Sequence, residues 1–238
     1  MGERRSRTAR DARRRAHGQN FLVSRRLIAT LVRESGVERT DLVLEIGAGR
    51  GVLTAELARR AGSVVAVELD PVWAHRLRQR FAADDAVAVI EGDARHVPFP
   101  AEPFRVVANV PFNVTTALLR RLLDDPRTQL QRADLIVQRE VARKRAGRPN
   151  NLLSASWSPW YRFRLGRRIP RTAFRPIPAV DAAVLVVERR REPLLPLEER
   201  DTFAAFVGAC FSGTLVHDLD ASQWVTLFEA YASTRPRA

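Results

Sequence analysis

Apolar and polar positions along the chain fall into short blocks whose period switches back and forth. Leu42–Ile46 (Leu-Val-Leu-Glu-Ile) is an almost continuous apolar run closed by a glycine. Runs this short, rich in branched side chains and bounded by turn residues, read as strands rather than helices. Residues 53–61 then repeat their apolar positions at helical spacing, and Gly62 is placed to end that helix. A second strand at 64–67 is closed by Glu68-Leu-Asp-Pro71, and 72–81 reads as a second helix. Three more strands are predicted at 86–90, 105–108 and 133–138, with a helix over 116–123 between the last two. Segments 161–165 and 182–187 predict a further pair, antiparallel at a sheet edge. After Pro193 and Pro196, Phe203, Phe206, Val207, Cys210 and Phe211 recur at helical spacing, as do Trp224, Leu227, Phe228 and Tyr231, and they read as helix core.

Continuous apolar strands alternating with helices predict an α/β fold, a parallel sheet covered on both faces. Such sheets bind ligands outside the carboxyl ends of their strands, where the strand order reverses. Gly47, Glu68, Asp93 and Asn109 close the first four strands in turn, an alignment that marks them as candidate site residues. The expected division is an arm at 1–17, a catalytic α/β unit at 18–190 and a small helical C-terminal domain at 191–238.

Charge narrows the partner. In 238 residues, Lys+Arg number 40 and Asp+Glu 27, a net charge of +13. Lys144 is the single lysine, so a bias toward arginine is evident, but it does not account for the excess of bases over acids. A surplus of this size points to a polyanion, most simply nucleic acid. Seven arginines between Arg4 and Arg15 form a basic arm, within which Arg13, Arg14 and Arg15 are candidate RNA contacts. No apolar run approaches the ~18 residues of a membrane span. The lone cysteine fits a reducing, cytoplasmic setting, and the four scattered histidines offer no metal-ligand spacing.

Glu45-Ile-Gly-Ala-Gly-Arg-Gly51 turns from strand into helix with G-x-G-x-G spacing, not the G-x-G-x-x-G of dinucleotide enzymes. A pyrophosphate needs the helix N-terminus close by; S-adenosylmethionine carries no phosphate and needs only room and main-chain contacts. A plain turn remains an alternative for this loop taken alone. Glu68 can accept from both hydroxyls of a ribose, and Asp93 from an adenine amine, although either acid is also at home in a turn. Asn109-Val-Pro-Phe112 is the most specific stretch. The residue before a proline is held extended, so the carbonyls of Asn109's side chain and Val110's backbone can converge on the two hydrogens of a planar amine. Phe112 supplies a stacking face, with Pro111 beside it. Such a site suits transfer of a methyl group to an exocyclic adenine nitrogen, with the base extruded from its stack.

Gly18-Gln-Asn-Phe-Leu22, the glycine loop, Val67-Glu-Leu-Asp70, Gly92-Asp-Ala94, Asn109-Val-Pro-Phe112, Gln138-Arg-Glu-Val141 and Phe174-Arg-Pro-Ile-Pro-Ala-Val-Asp181 occur in that order. The set resembles the rRNA adenine N6-methyltransferases over residues 16–190, and within them the erythromycin-resistance branch, because Phe112 stands where the housekeeping 16S branch usually has tyrosine. The resemblance implies a Rossmann-like class I methyltransferase sheet, S-adenosylmethionine as cofactor and a 23S rRNA adenine as substrate. It implies resistance to macrolides, lincosamides and streptogramin B. Separately, no obligate protein partner is evident and the expected state is a monomer. The resemblance further implies that Asn20, Leu22, Gly47, Gly49, Glu68, Asp93, Ala94 and Asn109 surround the cofactor. Asn109 and Phe112 would handle the base, and Phe174 would wall its pocket. Arg143, Lys144, Arg145 and Arg148, expected in a loop, are candidate phosphate contacts. Between Phe211 and Trp224 the chain is short for the family, which bears on RNA affinity rather than on chemistry. A 16S dimethyltransferase, a non-catalytic RNA-binding assembly factor and a nicotinamide oxidoreductase are the alternatives; the Asn109 motif and the charge both disfavour the last.

Overall fold

Apolar runs bare of polar groups on either side must be covered on both faces, and the chain achieves this with one seven-stranded sheet. The computed structural model describes residues 20–213 and 218–233. Its elements are β1 (Phe21–Leu22), α1 (Arg25–Ser35), β2 (Leu42–Ile46), α2 (Val52–Ala58), β3 (Ser63–Glu68), α3 (Pro71–Arg80), β4 (Val87–Glu91) and β5 (Phe104–Asn109). They continue with α4 (Thr115–Leu123), β6 (Leu130–Gln138), α5 (Arg139–Ala146), α6 (Leu152–Trp157), β7 (Tyr161–Ile169), β8 (Phe174–Arg175), β9 (Ala182–Arg189), α7 (Arg200–Ser212) and α8 (Ala221–Ser233). The sheet order is β4-β3-β2-β5-β6-β9-β7. Strands β2 to β6 pair in parallel, and β9 runs antiparallel between β6 and β7. The mixed α/β class and the antiparallel pair at the edge are as the sequence predicts. Order reverses between β2 and β5, so the switch point lies where Gly47 and Asn109 leave the sheet.

Alternate residues of the central strands feed two apolar layers. Val43, Val107 and Ile136 face α1 and α2 together with Ile28, Leu31 and Leu57. Leu44, Val106 and Leu135 face the other way, into a larger cluster that also contains Leu122, Trp160 and Phe203. Helices α7 and α8 thus bury their aromatic stripes in the same apolar mass as the sheet. Phe203 meets Trp160 edge-on at 6.1 Å and Phe228 edge-on at 5.3 Å. Among the described residues no helix is long and apolar enough to cross a membrane.

Three points depart from the sequence pattern. The helix expected over 53–61 ends at Ala58. Gly62 is not its cap; its N–H donates to the Asp41 carbonyl at 3.0 Å, and a Cβ there would collide with the Arg39 carbonyl. Close backbone approach, not helix termination, accounts for that glycine. Arg143, Lys144 and Arg145 lie on α5 rather than in a loop, because Ala142 is fully buried and the charges occupy the remaining faces of a short helix. Helix α1 is absent from the predicted elements, although it has a capping serine, Ser24, that accepts from the Leu27 N–H at 3.2 Å.

Because Phe203 is fully buried against Trp160 in the turn before β7 and Phe228 of α8, Phe203→Ala should cost about 4 kcal/mol, as large aromatic truncations in closed cores do. Urea unfolding would measure it. A loss below about 1 kcal/mol would mean that the C-terminal helices contribute little to the common core.

Candidate functional site

Four strand ends and the segment ahead of α1 enclose a cavity of about 320 Å³ at the switch point. Asn20, Gly47, Glu68, Asp93, Ala94, Asn109, Pro111 and Phe112 all line it, eight of the sequence-derived candidates in one place. Phe21, Leu69, Arg95 and Asn113 line it too and are not among those candidates. Phe21 sits inside one of the family motifs, but nothing in a strand-end pattern points to a residue upstream of the first sheet strand.

Gly47 and Gly49 both take left-handed backbone conformations, with φ +75° and +53°, which suit residues without a side chain. A Cβ on Gly49 would lie 2.6 Å from the Phe21 ring, so β1 can close over the loop only because the loop is bare. The Gly47 and Ala48 N–H groups donate to the Val67 carbonyl at 2.8 and 3.1 Å, which fixes the loop against β3. Glu68, 3% exposed, completes the tie: one carboxylate oxygen accepts from the Gly49 N–H at 2.7 Å and the other from the Asp70 N–H at 2.9 Å. Burial pushes its carboxyl above the usual range, and those backbone donors oppose the shift. Each oxygen retains a second lone pair, so Glu68 can organise the loop and still accept from a ligand's hydroxyls.

Asp93 is held differently. Its carboxylate accepts from the Arg95 N–H at 2.8 Å and from the Arg95 guanidinium Nε at 3.0 and 2.9 Å. Those hydrogen bonds pull its pKa down to about 2. Asp93 therefore stays charged at the cavity wall, but a ligand amine must share it with Arg95.

Asn109 carries the clearest orientation. Its Nδ2 donates to the Asn20 carbonyl at 2.7 Å. A carbonyl can only accept, so the amide cannot be reversed, and Oδ1 is left as the acceptor on the other side. The Val110 N–H is bound to the Ile136 carbonyl at 3.1 Å, which anchors the peptide leading to Pro111. Phe112 begins a single 3-10 turn and is half-buried at the cavity. An acceptor, a fixed backbone and a ring thus line the same cavity.

Several candidates are elsewhere. Leu22 is in the core and pairs with Phe174 in the small β1–β8 ladder. It supports the site through its backbone. Phe174, expected to wall the base pocket, is fully buried and does not line this cavity; its ring lies in the apolar layer that Phe112 packs against. Gly49 touches Phe21 and Glu68 but is not on the cavity surface. Arg145 is turned inward. It donates to Asn151 Oδ1 and, at 3.4 Å, to Ser154, and it stacks 5.6 Å from the Trp157 ring centroid. Arg143 pairs with Glu140 on the surface and Lys144 is exposed. Arg13, Arg14 and Arg15 lie outside the described residues.

The model of the family described as "Ribosomal RNA adenine dimethylase" matches residues 10–217. Mycinamicin-resistance protein MyrB of Micromonospora griseorubida is 46% identical over 180 residues, covering 75% of this chain and 56% of that protein. Ribosomal RNA small subunit methyltransferase A of Moorella thermoacetica is 35% identical, covering 84% and 75%. Among solved structures, the 23S rRNA methyltransferase ErmE superposes with a TM-score of 0.79 at 29% identity, covering 88% of this chain and 98% of that one.

Glu45 adds a property of the glycine loop that can be measured. It is 1% exposed, and its Oε2 has no hydrogen-bond partner among the described residues. Burial raises its pKa to about 8, with neighbouring Thr54 opposing only part of the shift. The folded chain thus keeps a proton that the unfolded chain loses near 4.5, so stability falls as pH rises from about 4.5 to about 8. Glu45→Gln should remove that slope, matching wild type at pH 5 and melting higher at pH 8. Superimposable melting-temperature profiles would show that Glu45 is ionised in the fold.

Proposed function

The chain belongs to the ribosomal RNA adenine dimethylase family, and from that premise we propose that it methylates N6 of one adenine in 23S rRNA and thereby protects the ribosome from macrolides, lincosamides and streptogramin B. It is an S-adenosylmethionine-dependent rRNA adenine N6-methyltransferase. The observation that carries the chemistry is the fixed amide of Asn109, whose acceptor is aimed away from Asn20 beside Phe112.

The cavity fits the cofactor. Its volume is that of a small-ligand site, and bare glycine backbone forms part of its wall. Glu68 would accept from ribose hydroxyls, Asp93 and Ala94 would meet the adenine, and Asn20 and the Gly47 loop would hold the methionine moiety. When bound, the cofactor supplies a methyl group already activated on a sulfonium. The protein therefore needs no strong base; its residues bind, orient and polarise the amine. Asn109 Oδ1 and the Val110 carbonyl accept from the two N–H groups, which favours a pyramidal nitrogen with its lone pair localised. Both acceptors become stronger partners as that nitrogen gains positive charge. Phe112 stacks on the extruded base and keeps it in register. Arg143 and Lys144 on α5 would take phosphates of the same strand.

Two features support 23S over 16S rRNA: Phe112 where tyrosine is usual in the 16S branch, and the likeness to ErmE along nearly its whole length. A small-subunit target is the second reading, favoured by the similarity to methyltransferase A. Naked 23S rRNA and assembled 30S subunits offered in parallel separate the two, and activity confined to 30S particles would overturn the first.

Asn109→Ala should lower methyl transfer about 100-fold or more, the usual cost of losing one transition-state hydrogen bond, with RNA affinity nearly unchanged. Primer extension across 23S rRNA from expressing cells should show one adenine stop with the wild type and none with the variant. An undiminished stop in the variant would remove Asn109 from the mechanism.

A further inference from the structure

One surface cluster adjoins the cavity without belonging to the machinery above. Trp73, half-buried on α3, lies 5.7 Å from the Phe21 ring. The Arg50 guanidinium sits 5.0 Å from the Phe21 centroid and 5.8 Å from that of Trp73, and Arg76 stacks 5.0 Å from Trp73. Neither arginine forms an ion pair with a described acid, and both are exposed. Leu69 and Val72 beside them are 45% and 48% exposed. Phe21 and Leu69 also line the main cavity, so the cluster is the outer continuation of one of its walls.

Position gives the cluster its meaning. An extruded nucleotide has two neighbours, and the strand must leave the pocket in two directions. Sheet order places β6 and the basic face of α5 on one side of the β2–β5 switch point, and β3 with α3 on the other. Of the candidate RNA contacts, Arg143 and Lys144 among the described residues therefore serve one side only. Aromatic faces interleaved with unpaired arginines are what unpaired nucleotides bind: rings for the bases, guanidinium groups for the phosphates.

Resting on the methyltransferase reading, we propose that Phe21, Trp73, Arg50 and Arg76 dock the unpaired nucleotide next to the target adenine, its base stacked on Trp73 and its phosphate between the arginines. The same cluster, if merely structural, would steady α3 and leave RNA indifferent to its loss. If it were a cover for the cofactor, its loss would weaken cofactor binding.

The test uses the full chain and a short 23S-derived hairpin with the target adenine in its unpaired segment. Binding is followed by fluorescence anisotropy, cofactor affinity by calorimetry and transfer by tritium incorporation. Trp73→Ala should weaken hairpin binding roughly tenfold or more, the scale of losing one stacked base, while Trp73→Phe restores most of it and cofactor affinity is unchanged. Removing the neighbouring base from the RNA should weaken wild type equally and cost Trp73→Ala nothing further. Arg50→Ala with Arg76→Ala should flatten the slope of log K against log salt by about 0.7, one single-strand phosphate's worth. Unchanged hairpin affinity in Trp73→Ala, additive rather than overlapping losses, or a matching fall in cofactor affinity each overturns the proposal. Wild-type protein that fails to methylate the hairpin or whole 23S rRNA overturns the 23S reading instead.

Discussion

Parallel strands joined by right-handed crossovers leave an open crevice wherever the direction of winding reverses, and this chain builds its whole site around that one constraint. Between β2 and β5 the following segments depart to opposite sides, so no helix covers the carboxyl ends there. What fills the crevice must come from outside the sheet. The segment around Asn20 does this, entering ahead of α1, and the Asn109 side chain is bonded to its carbonyl at 2.7 Å. The group that would orient the substrate is thus fixed by the segment that closes the site. Glu68 has the corresponding role on the neighbouring strand β3, where two backbone donors hold a carboxylate that burial disfavours.

Such a site is held against its own local preferences. Glu45 and Glu68 are carboxyls in an apolar setting, and both are shifted upward by desolvation. Successive glycines surrender conformational freedom on folding. Stability must come from elsewhere, and the apolar layers on both faces of the sheet provide it, above all the side on which Trp160, Phe203 and Phe228 meet. The division is spatial: glycine turns and buried carboxyls sit at the carboxyl ends of the strands, close packing behind them.

This division also explains what was legible in the sequence. Strand positions, their parallel order and the residues closing them follow from local pattern, and Gly47, Glu68, Asp93 and Asn109 do meet at one cavity. Contacts that depend on distant pairing were not legible. Gly62 reads as a helix end but serves the approach of Arg39. Phe174 reads as a pocket aromatic, yet its pairing with Leu22 across the β1–β8 ladder draws it into the core. A run of four basic residues looks like a loop until the burial of Ala142 makes most of it a helix. Phe21 and Trp73 are separated along the chain and neighbours only in space.

Net charge is where sequence and structure differ most instructively. An excess of bases suggests a surface covered with phosphate contacts, but many arginines here bind carbonyls of their own chain. Arg105 donates to the Gly36 and Ser35 carbonyls as well as to Asp41. Arg189 reaches the Leu130 and Pro126 carbonyls, each at 2.8 Å, and Arg121 reaches those of Ala94 and Val97. A guanidinium can satisfy several carbonyls at once in a fixed plane, which an ammonium cannot, so the near absence of lysine has a structural use. Arg189 and Arg121 make these contacts without an ion pair to a described acid, and so inflate the surplus without adding to the exposed basic surface. The charge left for RNA is the remainder: exposed groups without an ion pair to a described acid, such as Lys144 on one side of the switch point and Arg50 and Arg76, stacked on their own aromatic rings, on the other. It is the placement of these few groups on either side of the switch point, rather than the total, that the proposed path of a single strand draws on.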